Sequence, residues 1–124
     1  MTIKIEPVPW CDEAAVGLSR ALGDDLRVMR DEVESNRAQL WKVHGYGFLV
    51  TRIESDCNGK TLVLVAAEGR GIDAITPVLI DVAKANGIGF LRVHSARKGM
   101  GRILKKHGYR YLETVYLLEV SGNG

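Results

Sequence analysis

The sequence has little of what staples a fold from outside or ties it to a particular compartment. Only two cysteines and three prolines occur in 124 residues. Cys11 and Cys57 stand far apart, without a CxxC pair or a His/Cys cluster around either. This argues against a disulfide framework or a zinc site and makes a reducing cytoplasm the expected location. The longest apolar runs, residues 48–50 and 62–67, fall far short of the roughly 20 residues of a membrane span. The stretch Met1-Thr2-Ile3-Lys4-Ile5-Glu6 lacks the apolar core of a secretory signal. Net charge is only +2, too mild to imply a nucleic-acid partner by itself. No repeat, low-complexity tract or Pro/Ser-rich linker divides the chain, so one domain over residues 1–124 is expected. What remains is an ordinary globular composition, 46% hydrophobic and 26% charged.

Hydrophobic periodicity orders that domain. Ile3, Ile5 and Val8 alternate with polar residues as in a half-buried strand closed by Pro7 and Pro9. Asp12 is placed to cap a helix carrying Ala15, Val16, Leu18, Ala21 and Leu22, which Gly23 stops. Asp24 or Asp25 opens a second helix on Leu26, Val28, Met29 and Val33, with a charged outer face. From Ala38 the period changes to that of strands, over residues 40–43 and 48–53, joined through Gly45-Tyr46-Gly47. Asn58-Gly59 signals a hairpin into residues 61–67, which are apolar almost throughout, as in a central strand covered on both faces. The glycine loop Gly69-Arg70-Gly71 precedes a helix with Ile75, Val78, Leu79 and Val82 on one face, capped by Asn86-Gly87. A strand over residues 89–94 follows, then a short basic helix opened by Ser95 and closed by Gly108. Two last strands are expected over residues 109–112 and 114–120. The predicted order is β-α-α-β-β-β-α-β-α-β-β.

That order, the glycine loop after an apolar strand, and the run Arg102-Ile103-Leu104-Lys105-Lys106-His107-Gly108-Tyr109 resemble the GNAT superfamily of acyl-CoA-dependent N-acyltransferases. The resemblance covers most of the chain from Ala38 onward; the first two helices agree in placement only. It implies an α/β (α+β) fold with a mixed central sheet flanked by about four helices. It also implies acyl-CoA, such as acetyl-CoA, as cosubstrate and an amine as acceptor. Family members typically carry (Gln/Arg)-x-x-Gly-x-(Gly/Ala) at the loop. Here the residues are Glu68-Gly69-Arg70-Gly71-Ile72-Asp73. Gly71 matches, whereas Glu68 and Asp73 depart, and a carboxylate at 73 would repel a diphosphate unless Arg70 offsets it. The other reading of this stretch is a plain helix cap by Asp73 or Thr76, with Pro77 in the first turn.

By the same resemblance, backbone groups at Val65 and Ala67 would hold the pantetheine arm, and those at Gly69, Arg70, Gly71 and Ile72 the diphosphate. Leu104 stands where many members carry the tyrosine that protonates the departing thiolate. Leucine donates no proton, so Tyr46, Tyr111, Ser95 and His107 are the nearby substitutes. A base is needed to free the attacking amine, and Glu68 at the end of the central strand is the first candidate, followed by Glu54 and His94. Tyr109 reads as a packing residue and His44 as a turn residue. The basic stretch from Arg97 to Arg110 is a solvated face, a seat for the ribose phosphate of CoA, or a nucleic-acid contact, the last without any supporting signature. No metal site is predicted. Two functions follow: an N-acyltransferase, or a non-catalytic GNAT-like domain that binds a protein assembly partner. Short, eroded GNAT-like domains occur in bacteriophages, including as internal virion components, and the brevity of this chain is similar to theirs.

Overall fold

Alternating side chains over the first half of the chain build successive strands into antiparallel pairs. They are β1 (Ile5–Val8), β2 (Gln39–Val43), β3 (Gly47–Asp56) and β4 (Gly59–Ala67). Their order in the sheet follows the sequence, and β5 (Phe90–Val93) adds to the far side of β4 in parallel. A parallel neighbour needs a crossover connection, and α3 (Ile72–Ala85) supplies it. In this computed structural model, residues 3–57, 59–68, 72–93, 100–110, 112, 116 and 118 are described. The expected mixed sheet, with residues 61–67 on an inner strand, is the observed one. Four α-helices are described, with α1 (Asp12–Leu22), α2 (Leu26–Glu34) and α4 (Met100–Lys106) completing the set. None is long and apolar enough to cross a membrane.

The sheet separates two cores. On one face α1 and α2 lay Ala14, Leu18, Met29 and Val33 over Leu40, Phe48, Val50 and Ala66. On the other, α3 packs Ile75, Leu79 and Ala83, with Ile88, against Val43, Leu49, Leu62 and Leu64. Leu18, Leu40 and Leu79 are completely buried, as an apolar stripe pressed on a sheet requires. The buried Thr51 hydroxyl accepts the indole N–H of Trp41 at 2.8 Å, so this polar group inside the second core is satisfied.

Several local expectations shift. Cys11, not Asp12, holds the N-cap position of α1 and makes no side-chain capping bond; Asp12 sits in the first turn, where its charge opposes the helix dipole favourably. Val16 and Val28 face solvent, because Ala14–Leu18 and Met29–Val33 are the pairs that meet the sheet. Gly59 pairs with Asp56 and so already belongs to β4, one residue earlier than the Asn58-Gly59 signal placed the start of that strand. Helix α3 begins at Ile72, which puts Asp73 in its first turn and Thr76 inside the helix rather than at its cap. Pro77 is then interior, at the cost of one helical hydrogen bond. The two last expected strands fall largely outside the described residues. Tyr109, Arg110, Leu112, Tyr116 and Leu118 are described, and none of them is in a strand.

Candidate active site

The ladder between β3 and β4 is regular except at one step. Val50 pairs with Ala66 and Thr51 with Leu64, so Val65 is an extra residue, a β-bulge. Val65 has no register partner on β3, and the described pairing of β4 with β5 stops at Leu64 and Val93. The bulge also resets which way the strand points. Before it, Leu62 and Leu64 face the α3 core; after it, Ala66 joins the α1–α2 core and Ala67 packs against the α3 core. By that alternation Glu68 turns toward α1. Without the extra residue, position 68 would share the face of 62 and 64.

Glu68 is half-buried there, in a niche without side chains of its own. Its Oε2 accepts the Phe48 backbone N–H at 2.9 Å, and its own N–H donates to the Phe48 carbonyl at 2.9 Å. The side chain thus replaces the main-chain carbonyl as the last acceptor of the ladder. Two glycines flank the carboxylate. A methyl group built on Gly17 of α1, or on Gly47 at the head of β3, would stand 2.5 Å from Glu68 Cδ. Gly47 has φ 120°, a conformation other residues adopt only under strain. No hydrogen bond reaches Oε1 among the described residues. The carboxylate is held by one oxygen and offers lone pairs on the other.

Glu54, the second base candidate, has a different setting on the same face. Arg92 Nη2 donates to Oε1 at 2.6 Å and Arg52 Nη2 to Oε2 at 3.2 Å, while Arg52 Nη1 lies 3.7 Å from Glu32 of α2. The hydrogen bond from Arg92 first, joined by the hydrogen bond from Arg52 and the charges of both arginines, holds the Glu54 carboxyl below the usual carboxylate range against an opposing cost of burial. A carboxylate so stabilised as an anion is a weak proton acceptor. Its part is to tie β3, β5 and α2 together over the buried Val63.

The fold as a whole has counterparts among solved structures. A predicted acetyltransferase from Clostridium acetobutylicum, solved with acetyl-CoA, matches with a TM-score of 0.66 at 13% identity, over 95% of this chain and 96% of that one. A ribosomal-protein-alanine N-acetyltransferase from Brucella melitensis biovar Abortus 2308 matches with a TM-score of 0.69 at 15% identity, over 97% and 100%. AAC(6')-Iy, in complex with the bisubstrate analogue CoA-S-monomethyl-acetylneamine, matches with a TM-score of 0.67 at 13% identity, over 97% and 99%. The chain has the GNAT fold. No protein-family model matches the sequence, and no curated protein matches it in sequence.

Within the GNAT frame, the predicted cosubstrate contacts divide. Val65 and Ala67 are both half-buried and adjoin the bulge. Ile72 opens α3. Gly69, Arg70 and Gly71 lie outside the described residues, as do the candidate base His94 and the candidate acids Ser95 and Tyr111. Tyr46 is exposed in the β2–β3 turn, and His107 follows α4 half-buried, with its N–H on the Leu104 carbonyl. The phenol of Tyr109 lies 3.4 Å from the hydroxyl of the buried Thr76, joining the end of α4 to α3, and burial pushes its pKa up. Tyr109 is thus the packing residue expected. His44, in the turn after β2, pairs with Glu6 at 3.0 Å. The sequence reading missed the bulge and the glycine niche. One signal for the niche was present: Gly17 interrupts an otherwise good helix, where glycine costs about 1 kcal/mol and needs a packing reason.

Proposed function

We propose that the chain is a GNAT-like N-acyltransferase that moves an acyl group from acyl-CoA to an amine, with Glu68 taking the amine's proton. The observation that carries this reading is the Glu68 carboxylate, turned by the β4 bulge to the α1 face and bonded, among the described residues, through one oxygen. The fold shared with acetyltransferases supports the same reaction class. An amine is an ammonium ion near neutral pH, and a carboxylate both attracts it and accepts its proton. The freed nitrogen then forms its bond to the acyl carbon as the carbon–sulfur bond breaks, and the departing thiolate takes up a proton. Tyr111 is the proposed donor of that proton, since Leu104 has none to give, and His94 is the second proposed base.

Acyl-CoA supplies the activated acyl thioester. The residues that would hold it are Val65 and Ala67 for the pantetheine arm, with Gly69, Arg70, Gly71 and Ile72 for the diphosphate. Val65 fits this use, because a bulged residue without a register partner on β3 keeps backbone hydrogen-bonding groups that the β3–β4 ladder does not consume. The first turn of a 14-residue helix offers N–H groups in the same way.

The deciding experiment is a thermal-shift titration with acetyl-CoA. Ligand at about 100 times Kd stabilises the native state by about 2.7 kcal/mol, which raises Tm by several degrees. A Tm unchanged up to millimolar acetyl-CoA sinks the reading. A second reading, a non-catalytic domain that binds a protein partner, draws on Leu104 at the position where family members commonly carry the acid. Acetyl-CoA binding without turnover on any amine favours it.

A further inference from the structure

The Glu68 carboxylate is enclosed from two elements far apart in sequence. Gly17 approaches from the middle of α1 and Gly47 from the head of β3, and both leave open the volume that the carboxylate fills. At Gly47 two demands coincide, since φ is 120° and the space is taken. Gly17 has no such backbone demand. It sits in a helix between the buried Ala14 and Leu18, where alanine would ordinarily be the better residue. Among the described residues, the neighbour that requires glycine there is the carboxylate. Among the described residues, the nearest atoms to an added Cβ at Gly17 all belong to Glu68.

We propose that Gly17 and Gly47 are positioning residues, a socket that sets where the Glu68 carboxylate stands relative to the acceptor amine. This rests on the reading of Glu68 as the proton acceptor. A side chain at either position drives the carboxylate off the Phe48 N–H and away from its place at the end of β4. Misplacement of a reacting group by about 1 Å is enough to cost about 10²-fold in rate. Because α1 carries one wall, the set of α1 against β3 and β4 controls the base. The carboxylate, as the end of a flexible side chain, swings clear while its backbone stays tied to Phe48, and the cost is the lost bond to the Phe48 N–H.

The test exploits the sign of a helix-propensity effect. In an ordinary helix interior, glycine to alanine raises Tm by roughly 2–4 °C for a domain of this size. Here Gly17→Ala in the wild-type background should lower Tm. In a Glu68→Ala background, where the socket is empty, the same substitution should raise it. Turnover is the second readout: Gly17→Ala should lower kcat at least about tenfold while leaving the KM for acetyl-CoA unchanged, and should cost little further in a Glu68→Asp background, where the shorter side chain has already withdrawn the carboxylate. A Tm that rises on Gly17→Ala in the wild type overturns the socket. A Tm that falls while kcat holds, or a loss confined to the KM for acetyl-CoA, overturns the positioning role. Glu68→Gln separates the two levels of the argument. If it keeps full turnover, the base assignment fails while the Tm reversal can still stand, and the socket is then packing alone.

Discussion

Two carboxylates on the same face of the sheet, Glu54 and Glu68, stand at opposite ends of the β3–β4 ladder and are held by opposite means. Glu54 is fixed by charge: two guanidiniums reach it, and the chain of ion pairs continues through Arg52 to Glu32. Glu68 is fixed by shape, with a single backbone N–H and two glycines that decline to fill its space. Charge partners stabilise the anion and so oppose protonation. A steric socket sets position without that electrostatic cost. An end held by charge and an end held by shape are thereby distinguished on one surface, although both residues are glutamates near a strand end.

The sharpest way to break this contrast is to neutralise each carboxylate in turn. Glu68→Gln should lower acyltransferase turnover by about 10²–10⁴-fold with acetyl-CoA affinity unchanged, whereas Glu54→Gln should leave turnover within a few-fold. Equal losses from both, by steady-state kinetics, would erase the distinction. Leu79→Ala removes a fully buried side chain from the opposite core and should cost about 2–5 kcal/mol by denaturant unfolding. It should do so without separating the two ends, because Leu79 touches the far face of the sheet. A large kinetic effect of Leu79→Ala at unchanged Glu68 chemistry would mean that the two cores are not independent.

The smallest effect is electrostatic. The folded Glu54 carboxyl titrates below its ordinary value of 4.5. The stability it contributes is therefore present above the unfolded value and is lost as pH falls through the folded one. Its side chain is 40% exposed, so screening limits the contribution to under about 1 kcal/mol. Tm measured from pH 6 down to pH 3 should fall less steeply in Glu54→Gln than in the wild type. Identical slopes would show that the arginine bridges add nothing to stability.

Much of the fold was legible because its signals are local. Alternation marked β1 to β3, the apolar run marked an inner strand, and Ile75, Leu79 and Val82 at helical spacing marked the crossover that makes β4 and β5 parallel. The misplaced details are those where neighbours decide. Val16 and Val28 read as core on a helical wheel, yet the stripe that meets the sheet runs through Ala14, Leu18, Met29 and Val33. Asp12 read as a cap, yet the chain enters the helix one residue earlier. Glu54 and Glu68 could not be ranked by their surroundings from sequence alone, since Arg92 lies 38 residues from the first and Gly17 a whole helix and three strands before the second.

The sequence by itself determined the strands and helices from β1 to α4, the crossover topology and the class of fold. Each follows from periodicity, turn chemistry and the short reach of backbone hydrogen bonds. It also carried one unread clue, a glycine where a helix prefers alanine. Only the tertiary structure decided where the ladder slips. A bulge exists only relative to a partner strand, and the single extra residue at Val65 sets the face to which every later residue of β4 turns. That slip carries Glu68 to α1, where two glycines from distant segments leave room for a carboxylate. Space left empty by two residues has no signature in either local sequence, because it becomes a site only when packing brings the two together.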